Sequence, residues 1–107
     1  MTVAETFDMM RTRFNPGAAA GLNKTIQLNL SGEEAGAWAL KIANQSCELI
    51  AGGVDKPDLA LAMSDKDWLA ITEGRLDPMQ AFFTGKIKPT GDLSLGPRLT
   101  SLFQLKR

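Results

Sequence analysis

The sequence predicts an α+β domain in which a five-stranded, mainly antiparallel sheet is covered on one face by helices. Three observations lead there. Apolar and polar residues alternate with a period of two in several short stretches. Most of those stretches are joined by tight turns, and capped segments with helical spacing stand before and after them. A chain of 107 residues with 44% hydrophobic and 22% charged side chains has room for one domain, residues 1–107, built on one core.

The elements follow in order. Thr2 with Glu5 three residues later is a capping-box pattern that opens a helix running to about Phe14, with Val3, Phe7, Met10 and Phe14 on one face. Asn15-Pro16-Gly17 ends it, and residues 18–22 offer one further turn. Residues 25–30 alternate without a fault, which predicts a half-buried strand with Ile26, Leu28 and Leu30 facing inward. Ser31-Gly32-Glu33-Glu34 turns the chain into a second strand, residues 37–42, with Trp38, Leu40 and Ile42 inward. Asn44-Gln45 is a short turn into a third strand, residues 46–51. A loop over residues 52–57 precedes the fourth strand, residues 59–63. Ser64 and Asp67 repeat the cap pattern, and the helix they open ends at Gly74. Asp77-Pro78 is an N-cap followed by proline at the first helical position, opening a short helix that ends at Gly85. Lys86-Ile87-Lys88 is read as a brief fifth strand, with Pro89 marking an edge or strand end. Leu95, Leu99, Leu102 and Phe103 fit a final helix whose first turn Gly96-Pro97 is expected to weaken.

Composition excludes more than it assigns. Twelve basic and twelve acidic residues balance, which argues against a general nucleic-acid binder. The charge is uneven, with three basic and six acidic residues over 54–84 against five basic and one acidic over 85–107. That end is either a solvated helix face or an attractor of anionic head groups, and Lys86 and Lys88 carry the same two readings. The N-terminus lacks a basic and apolar leader, no apolar run is long enough to span a membrane, and Leu105-Lys106-Arg107 is not a peroxisomal tripeptide. The cytoplasm is the default location. There is no histidine, so the commonest general base and metal ligand is missing. Cys47 has no partner to activate it and stands in a strand, where it reads as structural. Asp55, Asp58, Asp65 and Asp67 do not meet the calcium-loop pattern and read as caps and solvated turns. The chain is therefore expected to be no enzyme, with no cofactor and no metal.

What stands out is the apolar inventory of the second half, including Trp68, Ile71, Met79, Phe82, Phe83 and Ile87. These side chains either fill the core or line a cavity. Phe82 and Phe83 are adjacent on a helix, about 100° apart, and cannot easily share one narrow face. The methionines at 9, 10, 63 and 79 suit a surface that adapts to varied ligands.

Pro57-Asp58-Leu59-Ala60-Leu61-Ala62-Met63-Ser64, then Gly74-Arg75-Leu76-Asp77-Pro78, the aromatic Phe82-Phe83 helix, Gly85-Lys86-Ile87-Lys88 and Gly91-Asp92 together resemble the core signature of the sterol carrier protein 2 family. The resemblance covers nearly the whole chain. It departs from the family pattern at Arg75 and Ile87, both conservative, at Pro89, and at Gly96-Pro97. The resemblance implies an apolar tunnel between sheet and helices. It also implies binding and transfer of fatty acid, fatty acyl-CoA, sterol or phospholipid, with transient membrane contact. An accessory domain that presents an isoprenoid or lipid intermediate to a partner enzyme complex, or that forms a homodimer, is the alternative. Carried over residue by residue, the tunnel floor would be Leu28, Trp38, Leu40, Leu61 and Met63. Its lid would be Trp68, Ile71, Met79, Phe82 and Phe83, closed by Leu99, Leu102 and Phe103. Gln80 would either meet a ligand head or face solvent.

Overall fold

In the computed structural model, residues 2–103 are described; Leu105-Lys106-Arg107 lies outside the described residues. The capping box at the start is closed. The Thr2 hydroxyl accepts the Glu5 N–H, and the Glu5 carboxylate accepts the Thr2 N–H, which holds the Glu5 carboxyl below its ordinary pKa. Helix α1, Val3–Arg13, buries Val3, Thr6, Phe7 and Met10, the residues one turn apart that the spacing selects. A 3-10 turn, Pro16–Ala19, follows on an Asn15 cap whose side chain accepts the Gly17 N–H.

The sheet is built from β1 (Lys24–Ser31), β2 (Gly36–Ala43), β3 (Ser46–Ala51), β4 (Leu59–Ser64) and β5 (Lys88–Gly91), in the spatial order β3-β2-β1-β4-β5. Asn44 and Gln45, at φ of 53° and 56°, form the tight turn that sends β2 back as β3. The neighbours β1–β2, β2–β3 and β4–β5 are antiparallel, while β1 and β4 run parallel. The parallel pair arises because β3 ends at one edge and the chain must cross to the free edge of β1. Asp58 pins the landing point: its carboxylate accepts the Thr25 N–H at 2.7 Å and its own N–H reaches the Thr25 carbonyl.

One face of the sheet carries Ile26, Leu28, Leu30, Leu40, Ile42, Leu59, Leu61 and Met63, all buried. Helices cover it: α2 (Asp65–Thr72), α3 (Pro78–Phe83) and α4 (Leu95–Phe103) beside α1. Ser64 caps α2 through the Asp67 N–H, and Asp77 caps α3 through the Met79 N–H, as the spacing predicts.

Three features differ from the sequence reading. The fifth strand starts two residues late, because the N–H groups of Lys86 and Ile87 are spent on the Ala81 carbonyl at the end of α3 and cannot join the ladder. Pro89 then lies inside β5, opposite Leu61, which an edge strand tolerates. Gly96 and Pro97, expected to weaken the first turn of α4, are accommodated inside that turn, where backbone N–H groups have no helical partner to lose. Asp65, read among the caps and solvated turns, is buried. It accepts the Glu34 and Lys66 N–H groups and fits only because residue 32 is glycine: a Cβ there would stand 2.3 Å from its Oδ1.

The helix layer is keyed to the sheet by an aromatic stack. Phe7 lies between Trp38 of β2 and Trp68 of α2, with ring centroids 4.8 Å and 5.2 Å away and planes within 17°. The Trp68 indole N–H donates to the Thr6 hydroxyl at 2.8 Å in the buried interior. Thr6→Val removes that acceptor and leaves a buried donor unpaired. It is expected to cost about 1–3 kcal/mol, read as a lower urea midpoint at unchanged m-value.

Cys47 of β3 is partly buried beside Ile42, and desolvation pushes its thiol up to about 11 against a lowering contribution from Arg11. The folded state therefore holds the thiol proton more tightly than the unfolded chain. Alkylation by iodoacetamide at pH 8 is expected to be roughly tenfold or more slower in buffer than in denaturant; equal rates would show that the thiol is not desolvated.

Candidate ligand-binding cavity

The residues of β4 that face the helices are set by the pleat: Leu59, Leu61 and Met63, with Pro89 beside them on β5. They floor a cavity of about 210 Å³. Trp68 and Ile71 of α2 form one wall, and Pro78, Met79 and Phe82 of α3 form another. Ile87 closes the corner below α3, and Leu93, Gly96 and Leu99 close the side towards α4.

The position of each wall has a local cause. Asp65 and Ser64 start α2 directly at the end of β4, so Trp68 and Ile71 hang over the strand they have just left. Asp77-Pro78 starts α3 after a turn closed by the Arg75 and Leu76 N–H groups on the Ala70 carbonyl. The Asp92 carboxylate accepts both the hydroxyl and the N–H of Ser94, which lowers its pKa and sets the entry to α4.

No lining residue carries a charged or amide side chain. The one N–H or O–H among the lining side chains, the Trp68 indole N–H, is turned away to Thr6. Every buried side-chain nitrogen and oxygen among the described residues has a partner. Among the described residues, no three His, Cys, Asp or Glu side chains gather to hold a metal, and no helix is long and apolar enough to cross a membrane. The thiol of Cys47 lies on β3, the far edge of the sheet from β5.

Of the site residues expected from sequence, Leu61, Met63, Trp68, Ile71, Met79, Phe82 and Leu99 meet around the cavity. Leu28 and Leu40 are buried on the central strands, away from its wall. Trp38 stands against Phe7. Leu102 and Phe103 are buried on α4, where Phe103 meets Phe14 at 5.5 Å. Gln80 is exposed, and Phe83, 77% exposed, stands outside the cavity against the edge of Phe82. Sequence reasoning passed over Leu59, Pro78, Pro89, Leu93 and Gly96, and named Ile87 only among the apolar residues that either fill the core or line a cavity. Leu59 shares the alternation of Leu61 and Met63 and could have been found. Leu93 and Gly96 carry no periodic signal, since they reach the cavity only through the way α4 docks.

Comparison with known proteins agrees with this architecture. Residues 8–104 match the SCP-2 sterol transfer family. Hydroxysteroid dehydrogenase-like protein 2 of Bos taurus is 30% identical over 101 residues, which are 94% of this chain and 24% of that protein. This chain therefore spans about a quarter of that relative's length. The solution structure of palmitated SCP2L2 from Aedes aegypti superposes with a TM-score of 0.77 at 25% identity, covering 96% of this chain and 95% of that one. The inverting sec-alkylsulfatase Pisa1 from Pseudomonas sp. shares the fold over 96% of this chain and 16% of its own, with a TM-score of 0.82 at 21% identity. With the same sheet, the same helical cover and a match over nearly its whole length, the chain belongs to the SCP-2 sterol transfer family.

Proposed function

We propose that this chain binds a lipid by its hydrocarbon part, without catalysing a reaction on it. The observation that carries this reading is the cavity between β4 and the helices, lined by apolar side chains. Each methylene moved from water into such a site contributes roughly 0.8 kcal/mol, so the part of an acyl chain that the cavity takes in supplies several kcal/mol before association and ordering costs.

At 210 Å³ the cavity is smaller than the about 300 Å³ at which drug-sized pockets begin. Its size suits a single acyl chain, as in a fatty acid or acyl-CoA, better than a four-ring sterol. The palmitated state of the Aedes aegypti relative supports the same choice. The absence of histidine leaves Cys47 without an imidazole to activate it, which supports a non-catalytic role.

A second reading is favoured by the length comparison. The same domain makes up about a quarter of the hydroxysteroid dehydrogenase-like relative and a sixth of the alkylsulfatase. In such a setting it would hold a lipid for an attached or partner enzyme, and co-purification of an enzyme with an empty cavity would favour this role.

The decisive variant is at Gly96. A Cβ built there meets nothing within 4 Å, and the residue lines the cavity from inside a helix turn. Gly96→Phe should therefore fill the cavity while leaving thermal stability unchanged or raised, since glycine is a poor helix residue. Binding of a fluorescent C16 fatty acid is expected to weaken at least tenfold. Native mass spectra of the purified wild type should show bound lipid. Equal probe binding by both proteins, or none by the wild type at micromolar concentration, would overturn the reading.

A further inference from the structure

The face of the sheet turned away from the helices carries a second depression, of about 420 Å³. Cross-strand register places its lining. Asn29, Ala62 and Lys88 stand in one row over β1, β4 and β5, and Ser31 and Ser64 stand side by side in the next row, where the parallel pair ends. Ala62 has only a methyl group, so the row dips between its two longer neighbours. Lys86 completes the polar lining. The Lys86 and Ile87 N–H groups both meet the Ala81 carbonyl, and the segment they fold sends Ile87 into the lipid cavity while Lys86 and Lys88 border the depression.

We propose that this depression is a binding site for a phosphate group, free or borne by a small soluble molecule, and separate from the lipid cavity. Every polar side chain that lines it can donate a hydrogen bond, and none is acidic. A relay fixes Asn29. The Val54 N–H occupies the Gln27 carbonyl oxygen, so Gln27 turns its NH2 group to the Asn29 oxygen, which leaves the Asn29 NH2 group to a ligand. The Ser64 oxygen accepts the Asp67 N–H as the cap of α2, so its own proton is left to donate. Lys86 and Lys88 are exposed and enter no ion pair among the described residues. Asp65, the acid next to Ser64, spends both carboxylate oxygens on the Glu34 and Lys66 N–H groups. Two ammonium groups, an amide and two hydroxyls match the nearly double charge and three terminal oxygens of a phosphate monoester, where a carboxylate offers one charge and two oxygens. The volume falls within the range of about 300–1,000 Å³ of small-molecule sites, so room remains for the group that carries the phosphate.

Adenosine monophosphate, inorganic phosphate and adenosine, each titrated at constant ionic strength into isotope-labelled protein, test the site by amide NMR. The Ser31, Ser64, Lys86 and Lys88 amide resonances are expected to shift with adenosine monophosphate, saturating in the millimolar range or below, and to stay in place with adenosine. Inorganic phosphate that binds as tightly as the ester would assign the site to the free ion, and weaker binding would assign it to an esterified phosphate; both sustain the proposal. Lys86→Gln/Lys88→Gln removes two exposed charges that do not line the lipid cavity, and it should weaken phosphate binding about tenfold or more. Asn29→Asp keeps the acceptor that Gln27 uses but puts a carboxylate oxygen in place of the donor, and should weaken binding in the same direction. Both variants should take up a fluorescent fatty acid as the wild type does, and phosphate binding by a protein that takes up none would sustain this site while overturning the cavity reading. Equal phosphate affinity in the wild type and Lys86→Gln/Lys88→Gln, or saturable shifts with adenosine alone, would overturn the site. So would the lack of a saturable shift with either phosphate compound.

Discussion

The sandwich of Trp38, Phe7 and Trp68 is the contact on which the rest of the molecule depends. Trp38 belongs to the sheet, Phe7 to the first helix and Trp68 to the helix after β4, so three elements far apart in sequence are keyed together at one point. Parallel rings about 5 Å apart fill space without gaps, and the Thr6 hydroxyl removes the one polar cost of burying the indole. On the α1 side of Trp68 the interior is solid. On the other side the same ring is a cavity wall, because α3 is only six residues long and cannot fill the space over β4 and β5. One side chain thus divides a packed core from an unfilled one.

Polar locks at the sheet end give that division its geometry. Asp58 and Thr25 set β4 alongside β1, and Asp65 ties the turn after β1 to the start of α2. The buried Asp65 carboxylate is acceptable because backbone N–H groups meet it and because it sits at a helix N-terminus, where negative charge is favoured. Gly32 provides the space for it. These contacts hold α2 over β4 without filling the interior, which keeps an apolar void open in a protein of this size. The void and the exposed rim around its mouth are continuous. Stability has been given up in the same place twice, once in missing contacts and once in unburied aromatic surface.

The elements whose signals are local were legible. The strand of Ile26, Leu28 and Leu30 follows from strict alternation, and the caps at Thr2, Ser64 and Asp77 follow from side chains that can reach an N–H two or three residues ahead. The lone parallel pairing of β1 with β4 was not legible, since nothing in residues 52–58 says which edge the chain will join. The fifth strand was misplaced for a related reason. Lys86-Ile87-Lys88 alternates like a strand, but the Ala81 carbonyl claims two of its N–H groups.

The cavity divides along the same line. Composition, pattern and the ordered motif from Pro57 to Asp92 were enough to name the fold, the family and seven of the side chains that meet around the void. Leu28, Leu40, Leu102 and Phe103 share the hydrophobicity and periodicity of those seven, yet they are buried elsewhere in the core. Phe82 and Phe83 are chemically identical neighbours, and one lines the cavity while the other faces outward. Hydrophobicity and spacing determine that a residue is buried or that it lies on a helix face. Only the docking of α2, α3 and α4 decides which apolar residues meet one another and which meet empty space, because a void is a property of what fails to touch.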